Sequence, residues 1–336
     1  MTVSNAFSKP DQLSAELRQR ILDVADELGY AGPDPAARAL ARGTTGAVGV
    51  LLTDSLHYAF TDEVAAQFLG AIARELETEG LALTLLSSSA SAGTVPARDV
   101  PMDAALVYSC DPASSAVDWL RKRKLPMVFV DQTPVAGISS INIDDRVGAS
   151  AAAGHLVALG HRCVGVVTSN FVGPVGIVAD PIHDLTGHVS RQRMLGWLEP
   201  LRAAGVTPTV VQQNASSDET GRAAAELLLD LPEPPTAVLC FSDAMAYGVV
   251  QAAQARGLRV PDDLSVVGFD DNPLASRMRP ALTTVRQDVT AKGHAAATEL
   301  RVALERARTG AAPKAARVLL TAELVVRDST APPPHR

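Results

Sequence analysis

From Val48 onward the sequence alternates short apolar runs with amphipathic stretches, and this repetition limits the fold more than any other feature. The apolar runs typical of buried strands are Val48–Thr53, Leu81–Ser87, Ala104–Tyr108, Met127–Val130, Val164–Thr168, Thr209–Val211, Ala237–Phe241 and Ser265–Phe269. The stretches with helical periodicity are Val64–Glu79, Ser114–Arg123, Arg146–Leu159, Arg191–Ala204, Glu219–Leu231 and Ala244–Arg256. Strand and helix repeated in this order predict an α/β fold with helices on both faces of parallel sheets.

The pattern restarts after the polar stretch Ile143–Arg146, so we predict two doubly wound parallel sheets, one in each of two lobes. Ligands in this architecture bind at the carboxyl ends of the strands. Hydrophobic residues make up 47% of the chain and charged residues 20%, which suits buried sheets and argues against intrinsic disorder. Apolar runs such as Ala47–Leu52 are far too short to span a bilayer, so no membrane partner is predicted.

Residues 1–45 follow a different, helical pattern. Ser14–Leu28 is predicted to be an amphipathic helix capped by its first serine. Asp34–Ala41 is predicted to be a second, short helix, because Pro35 stands at a first-turn position. Thr2–Phe7 fits one or two further helical turns.

Charge alone does not indicate what the chain binds. The net charge of −7 argues against a protein that coats nucleic acid non-specifically. Residues 1–45 carry five basic and six acidic side chains, so this segment is close to neutral. A small DNA-reading element on an acidic body is compatible with these values, but only a sequence pattern can indicate it.

Motifs for enzymatic chemistry are scarce. The sequence lacks the phosphate-binding loops, the paired-histidine zinc motif and the serine-nucleophile motif. His155 and His161 have no acidic or cysteine partners at ligand spacing, so we expect them to cap a helix end rather than to hold a metal. The three cysteines fit buried thiols of a reducing cytoplasm. We therefore predict no metal, no cofactor and no catalytic residue.

Motifs distributed along the whole chain resemble those of the LacI/GalR family of transcriptional repressors. They are Thr2–Phe7, Leu28–Tyr30, Pro35–Leu40, Gly154–Leu156, Leu159–His161, Arg193–Trp197, Val260–Asp271, Pro280–Val285 and Leu324–Ser329. Each motif is weak alone, but all of them occur in the order of the family. The resemblance implies a two-lobed core, similar to periplasmic binding proteins, behind an all-α DNA-binding headpiece.

The chain also departs from this family at its N-terminus. In the family a first helix and a tight turn precede the recognition helix, whereas here Met1 stands within the recognition helix itself. A helix-turn-helix needs its first helix to brace the second and to touch the DNA backbone. We therefore expect the working protein to include residues encoded upstream, and the chain as given to bind DNA poorly.

The resemblance places Thr2, Ser4 and Asn5 on the recognition helix, where short polar groups can approach the major groove and an asparagine can read adenine. Residues 35–40 resemble the hinge helix, and Leu40 occupies the position of the leucine that enters the minor groove. Arg38 and Arg42 would then face phosphates. The alternatives are a solvated helix face for residues 2–7 and an ordinary linker helix that packs its leucine on the core.

Charged residues at strand ends are candidates for gripping an effector. Asp131, Asp243 and Asp270 closely follow predicted strands, and Arg193 lies at the start of a helix. Charge-assisted hydrogen bonds from such groups are strong and directional, as sugar hydroxyls require. The family uses these four positions for its effector. The alternative for each aspartate is a loop or helix cap.

Two aromatic residues complete the predicted effector site. Tyr58 and Phe60, in the loop after the first strand, are expected to supply an apolar or stacking wall. Ser216 stands where the family often places an aromatic lid residue. No stacked ring is therefore expected at that position.

The predicted domains follow from these assignments. Residues 1–45 form the partial headpiece and hinge helix, and residues 46–330 form the core. The N-lobe comprises residues 46–144 and 288–316, and the C-lobe comprises residues 145–287 and 317–330. A disordered tail is expected over residues 331–336, because it contains three consecutive prolines.

The functional prediction is a cytoplasmic repressor that acts as a homodimer on a near-palindromic operator and responds to a sugar or related metabolite. One alternative is a solute-binding protein that serves a transporter; it requires a secretion signal and does not use a hinge helix. A second is a sugar-processing enzyme on the same fold, which requires a positioned base and nucleophile.

Overall fold

The computed structural model describes residues 2–8, 10–52, 56–88, 94–110, 114–170, 173–183, 185–312 and 314–334. The described residues of the N-terminal segment form mainly helices, as expected: α1 Thr2–Ser8, a 3₁₀ turn Pro10–Gln12, α2 Ala15–Glu27 and α3 Pro35–Arg42. The Ser14 hydroxyl accepts from the Leu17 amide at the start of α2, and Asp34 caps α3 in the same way through the Ala37 amide. We call α1, the 3₁₀ turn and α2 the headpiece, and α3 the hinge helix.

A few contacts hold the headpiece together. Arg18 Nε donates to the Ala6 carbonyl oxygen at 3.1 Å, and the Phe7 ring meets the Tyr30 ring edge-to-face at 5.7 Å. Ala25 is the one buried residue of α2, so most of the apolar face of that helix is exposed. Leu28, for example, is 77% exposed.

The core has the two-lobed architecture that the strand–helix alternation predicts. The N-lobe begins with β1 Ala47–Leu52, α4 Tyr58–Thr61, α5 Glu63–Thr78, β2 Ala82–Ser87, α6 Pro96–Asp99, β3 Ala104–Tyr108, α7 Ser115–Lys122, β4 Met127–Val130 and β5 Ser139–Ile143. The C-lobe contains α8 Asp145–Leu159, β6 Val164–Ser169, β7 Gly176–Val178, α9 His188–Ala203, β8 Thr209–Gln213, α10 Asp218–Leu229, β9 Ala237–Cys240, α11 Asp243–Ala255, β10 Ser265–Asp270, α12 Pro273–Arg277 and β11 Thr283–Gln287. The chain ends with α13 Val289–Thr309, β12 Arg317–Leu320 and β13 Ala322–Val325.

The two sheets have similar strand orders but differ at their edges. The N-lobe sheet has the order β12-β5-β4-β3-β1-β2 and is entirely parallel. The C-lobe sheet has the order β13-β11-β10-β9-β6-β8-β7, with antiparallel strands at both edges. Apolar cores lie on both faces of each sheet, which explains why the central strands are continuously hydrophobic.

The chain crosses between the lobes three times, after β5, after β11 and after β12. The third crossing, after β12, comes later in the sequence than predicted. Residues 317–330 were predicted to belong to the C-lobe, but Arg317–Leu320 pairs with β5 and completes the N-lobe sheet. The long helix α13 was also not predicted, because its many alanines give it only a weak apolar stripe.

The expectation of a disordered tail is wrong for residues 331–334. The Ala331 carbonyl oxygen accepts from His161 Nε2 at 2.9 Å and from the Ser265 hydroxyl at 3.0 Å, while its amide donates to Ser265 Oγ. His155 lies 2.9 Å from the hydroxyl of Thr330. The two histidines therefore attach the C-terminal segment to the C-lobe. This role differs from both roles considered for them, a metal site and a helix cap. Residues 335 and 336 lie outside the described part of the chain.

Candidate functional site

A cavity of about 330 Å³ lies between the lobes, at the carboxyl ends of the strands. The N-lobe contributes the ends of β3 and β4, and the C-lobe contributes the end of β10 and the first turns of α8 and α9. Three of the predicted effector residues, Asp131, Arg193 and Asp270, line this cavity. The position agrees with the rule that parallel α/β sheets bind ligands at strand carboxyl ends.

The backbone turns sharply where the strands reach the cleft. Asp131 has φ 54°, Ser109 has φ 54° and Asp270 has φ 115°. Residues other than glycine rarely adopt positive φ, and such strain concentrates at functional sites. These turns place the two aspartates in the cleft wall instead of continuing the strand direction.

Arg193 is the central cation of the C-lobe wall, and only 4% of its surface is exposed. Its Nε lies 2.8 Å from Asp145 Oδ1, and its Nη2 lies 3.4 Å from Asp270 Oδ1. Its third nitrogen donates to the carbonyl oxygen of Phe241. The guanidinium group lies between two aromatic rings, 3.5 Å from the ring centre of Phe269 and 4.7 Å from that of Phe241. Every nitrogen of this side chain is thus engaged within the protein.

A second buried cation joins the two lobes. Lys292, on α13 of the N-lobe, has its Nζ 2.5 Å from Asp131 Oδ2 and 3.0 Å from Gln287 Oε1. Gln287 ends β11 of the C-lobe, and its Nε2 donates to Asp270 Oδ1 at 2.7 Å. A continuous chain of polar contacts therefore runs from Asp131 in the N-lobe to Arg193 in the C-lobe. We call this chain, from Asp131 through Lys292, Gln287, Asp270 and Arg193 to Asp145, the inter-lobe network.

Two buried acceptors in the cleft lack a protein donor. Asp131 Oδ1 and Gln132 Oε1 are fully buried and have no hydrogen-bond partner among the residues that the structure describes. Both residues line the cavity. An unsatisfied buried acceptor costs about 1–3 kcal/mol, so a ligand that donates hydrogen bonds here would recover that cost.

Burial raises the pKa values of two carboxyl groups that line the cleft. Burial raises the pKa of Asp270 to about 7, although the Arg193 guanidinium opposes the rise. Burial also raises the pKa of Asp145, again against Arg193. His188, at the start of α9, has its pKa lowered by burial, so its imidazole favours the neutral form. Groups with such perturbed pKa values, gathered in a cleft, mark a functional site.

The remaining predicted effector residues differ in position. Asp243 is fully buried; its Oδ2 accepts from the Asn272 amide at 2.9 Å and its Oδ1 from the Thr284 hydroxyl at 2.5 Å. It therefore joins α11, β11 and the loop after β10, as the alternative of a structural cap anticipated. Phe60 is 71% exposed and is not among the residues that line the cavity. The backbone of Tyr58 begins α4, and its side chain lies outside the description.

Three residues of the inter-lobe network were not predicted from the sequence: Asp145, Gln287 and Lys292. Asp145 follows β5 and begins α8, which is the same strand-end signal that identified the other aspartates, but β5 itself was not predicted. Gln287 and Lys292 flank the second lobe crossing. Without prediction of β11 and α13, no pattern indicated that Gln287 lines the cleft or that Lys292 pairs with Asp131 behind it.

The predicted DNA-reading residues lie on accessible helices. Thr2 and Ser4 are exposed, and Asn5 Nδ2 donates to Gln12 Oε1 at 3.0 Å. The hinge helix has no buried residue, and Leu40 is 86% exposed. The alternative in which this leucine packs on the core is therefore wrong. Arg42 is exposed and Arg38 is half-buried.

Comparisons with known proteins agree with this arrangement. Residues 153–330 match the model of the periplasmic binding protein-like domain. An HTH-type transcriptional regulator of Mycolicibacterium smegmatis is 37% identical to this chain, with 88% of the chain and 84% of the relative covered.

Two solved structures match over nearly the whole chain. A LacI-family transcriptional regulator from Corynebacterium glutamicum has a TM-score of 0.75 at 31% identity, with 98% of this chain and 95% of that chain covered. The lac repressor dimer bound to operator and the anti-inducer ONPF has a TM-score of 0.76 at 26% identity, with 98% and 94% covered. The matched regions include the helical N-terminal segment as well as both lobes. The chain belongs to the LacI family and is a DNA-binding transcriptional regulator.

Proposed function

We propose that this regulator is a repressor whose affinity for operator DNA is set by a sugar or related polyhydroxylated metabolite bound between the lobes. The observation that carries the proposal is the buried, unpartnered Oδ1 atom of Asp131 in the wall of the inter-lobe cavity. The effector site consists of Asp131, Arg193 and Asp270, to which we add Asp145 and Gln132. A cleft of a few hundred cubic ångströms with a few polar groups is typical of small-molecule sites.

The cleft favours a neutral ligand that donates hydrogen bonds. Asp131, Asp145 and Asp270 line it, together with Asp62. The two buried cations, Arg193 and Lys292, already pair with carboxylates of the inter-lobe network. Hydroxyl groups suit the remaining acceptors, whereas a phosphate or carboxylate would meet several acidic groups and no unengaged cation among those named.

We assign binding rather than catalysis to this cleft. A hydrolase or transferase would need a nucleophile within reach of a base. Here Arg193 and Lys292 hold Asp131, Asp145 and Asp270 in ion pairs that serve to position side chains. As a DNA regulator, the protein would act in the cytoplasm.

The inter-lobe network supplies a route from the effector to DNA. Its members come from both lobes, so a ligand that contacts both Asp131 and Asp270 favours one lobe arrangement over another. Such a preference is what control of DNA affinity by an effector requires. In a homodimer the lobes set the separation of the two hinge helices. These helices, at eight residues, are too short to be stable alone and would form on DNA. Each would place Leu40 in the minor groove, with Arg38 and Arg42 near phosphates.

Two half-sites related by the dimer axis imply a near-palindromic operator, read by Thr2, Ser4 and Asn5 of each protomer. The test is a thermal-shift screen of neutral sugars and polyols, each beside its phosphorylated counterpart. A neutral compound at about 100 times its Kd should add about 2.7 kcal/mol to stability.

The matched variant is Asp131→Asn, which keeps the shape of the side chain but removes its charge. It should lose at least tenfold in affinity for the compound found. Stabilisation by phosphorylated compounds alone, or an unchanged affinity in the variant, would contradict the assignment of this cleft. Release of operator DNA by the same compound would identify it as the effector.

A further inference from the structure

A second groove, with a volume of about 440 Å³, lies on the N-lobe away from the effector cleft. Four cations line it: Arg121, Lys124, Arg306 and Lys314. No acidic residue is among the lining residues that the structure describes, although the whole chain has a net charge of −7. Such a concentration of one charge on an acidic protein favours an anionic partner.

The groove lies at the end of the N-lobe that carries the hinge helix. It is formed where β4 and β5 begin, at Met127 and Ser139. All strands of this sheet are parallel, so their first residues share one edge with Ala47, where β1 begins. The linker from the hinge helix enters at that edge, and the Asp103 carboxylate holds it through the amides of Thr45 and Gly46 at 2.7 and 2.9 Å.

The distances at this edge are short. Between β1 and the groove lie two to three strand spacings, which amount to about 12 Å. The hinge helix itself, with eight residues, is about 12 Å long. The groove therefore lies at the edge of the N-lobe to which the hinge helix is attached, about 12 Å from the start of β1.

Only two of the four groove cations lie at the carboxyl ends of helices. Arg121 lies in the last turn of α7 and pairs with Asp118 at 3.3 Å, and Arg306 lies in the last turn of α13 and donates to the Ala312 carbonyl oxygen at 2.8 Å. Cations at helix carboxyl ends are common because they offset the helix dipole. Lys124 and Lys314 lie beyond the helices and are exposed, and their side-chain ammonium groups make no hydrogen bond or ion pair with a described residue.

We propose that this groove binds backbone phosphates of the DNA that flanks the sequence read by the headpiece, with Lys124 and Lys314 as the contacting residues. The contact is independent of base sequence and supplies affinity through counterion release. It is a contact of the core, separate from the recognition helix and the hinge helix. It does not depend on which effector occupies the cleft.

The test measures binding of the full chain to a mixed-sequence duplex by fluorescence anisotropy over a range of salt concentrations. The variant is Lys124→Gln/Lys314→Gln. The control is Arg202→Gln/Arg277→Gln, which removes the same charge from exposed positions of the C-lobe. The slope of log K against log salt should be shallower by roughly 2 in the groove variant, since each phosphate contact contributes about 0.9. The control should keep the slope of the unmodified chain.

Equal slopes in the two variants would overturn the proposal, as would absence of duplex binding by the unmodified chain at low salt. Poly-glutamate serves as a second anionic probe. Loss of poly-glutamate binding in the groove variant, without loss on the duplex, would assign the groove to an acidic protein segment and also overturn the proposal. Thermal unfolding of both variants should match that of the unmodified chain, because all four side chains are exposed.

Discussion

Lys292 Nζ lies 2.5 Å from Asp131 Oδ2, and this buried ion pair joins the helix after the second lobe crossing to the cleft end of β4. Lys292 is 1% exposed and Asp131 is 6% exposed. Charges removed from water to this degree are tolerated only when they are paired and hydrogen-bonded. The pair therefore fixes the orientation of the Asp131 carboxylate, whose Oδ1 has no hydrogen-bond partner among the described residues.

Lys292→Met should destabilise the protein by about 3–5 kcal/mol, because it leaves the Asp131 carboxylate buried without its cation. Urea denaturation at neutral pH measures the loss. The double variant Lys292→Met/Asp131→Asn should recover a large part of the stability, since neither charge then remains. A single variant as stable as the unmodified chain would show that the pair does not form.

The raised pKa of Asp270 predicts a pH dependence of stability. Its carboxyl group keeps its proton up to about pH 7 in the folded chain but loses it near the ordinary value of 3.8 when unfolded. The folded state then binds more protons between these values, so this residue makes the free energy of unfolding fall as pH rises from 4 to 7. This decrease in stability has not begun below about pH 4 and is complete above about pH 7.

Asp270→Asn isolates this contribution. From pH 5 to pH 8 the stability of the unmodified chain should decrease by about 2 kcal/mol relative to that of the variant. Denaturant titrations at several pH values provide the comparison. A constant difference between the two proteins across this range would mean that Asp270 titrates at its ordinary pKa.

Replacement of glycine by alanine should change stability in opposite directions at two helical positions. A Cβ at Gly221 of α10 would lie 2.2 Å from the Met245 carbonyl oxygen of α11, whereas a Cβ at Gly154 of α8 would have no described atom within 4 Å apart from its own helix backbone and chain neighbours. Gly221→Ala should therefore destabilise by about 1–3 kcal/mol or more through overpacking. Gly154→Ala should stabilise by about 0.5–1 kcal/mol, because alanine favours the helix. Thermal unfolding tests both signs, and a neutral Gly221→Ala would contradict the close α10–α11 packing.

Leu40→Ala should weaken binding to a selected operator by more than tenfold and leave binding to mixed-sequence DNA nearly unchanged. The leucine is 86% exposed, so its removal costs the folded chain little, and the wedge role that we propose for it operates only in the kinked complex. Leu319→Ala, at an exposed leucine on β12, is the matched control. Equal loss on both kinds of DNA would indicate a defect of the headpiece instead.

Strands with a hydrophobic run and a following helix were predictable from the sequence, whereas several edge elements were not. β7, β12 and β13 are short, lie at sheet edges and are only partly buried, so they lack a continuous apolar run. The lobe boundary at residue 317 was misplaced for this reason. Only its pairing with β5 shows that β12 belongs to the N-lobe.

The candidate site shows the same division. Asp131, Asp243 and Asp270 have similar positions after strands, yet the structure places the first and third in the cleft and buries the second among internal donors. The sequence alone does not predict which of these aspartates lines the cleft, because the outcome depends on how α11 and β11 pack around β10.

The sequence by itself determined the α/β class, the two lobes and the helical N-terminal segment, because these follow from local periodicity and capping. Only the tertiary structure decided which charges meet. Lys292 and Asp131 are 161 residues apart, and Arg193 and Asp270 are 77 apart. Their pairing depends on sheet order and on three lobe crossings, and a buried charge has a defined role only once its partner is known.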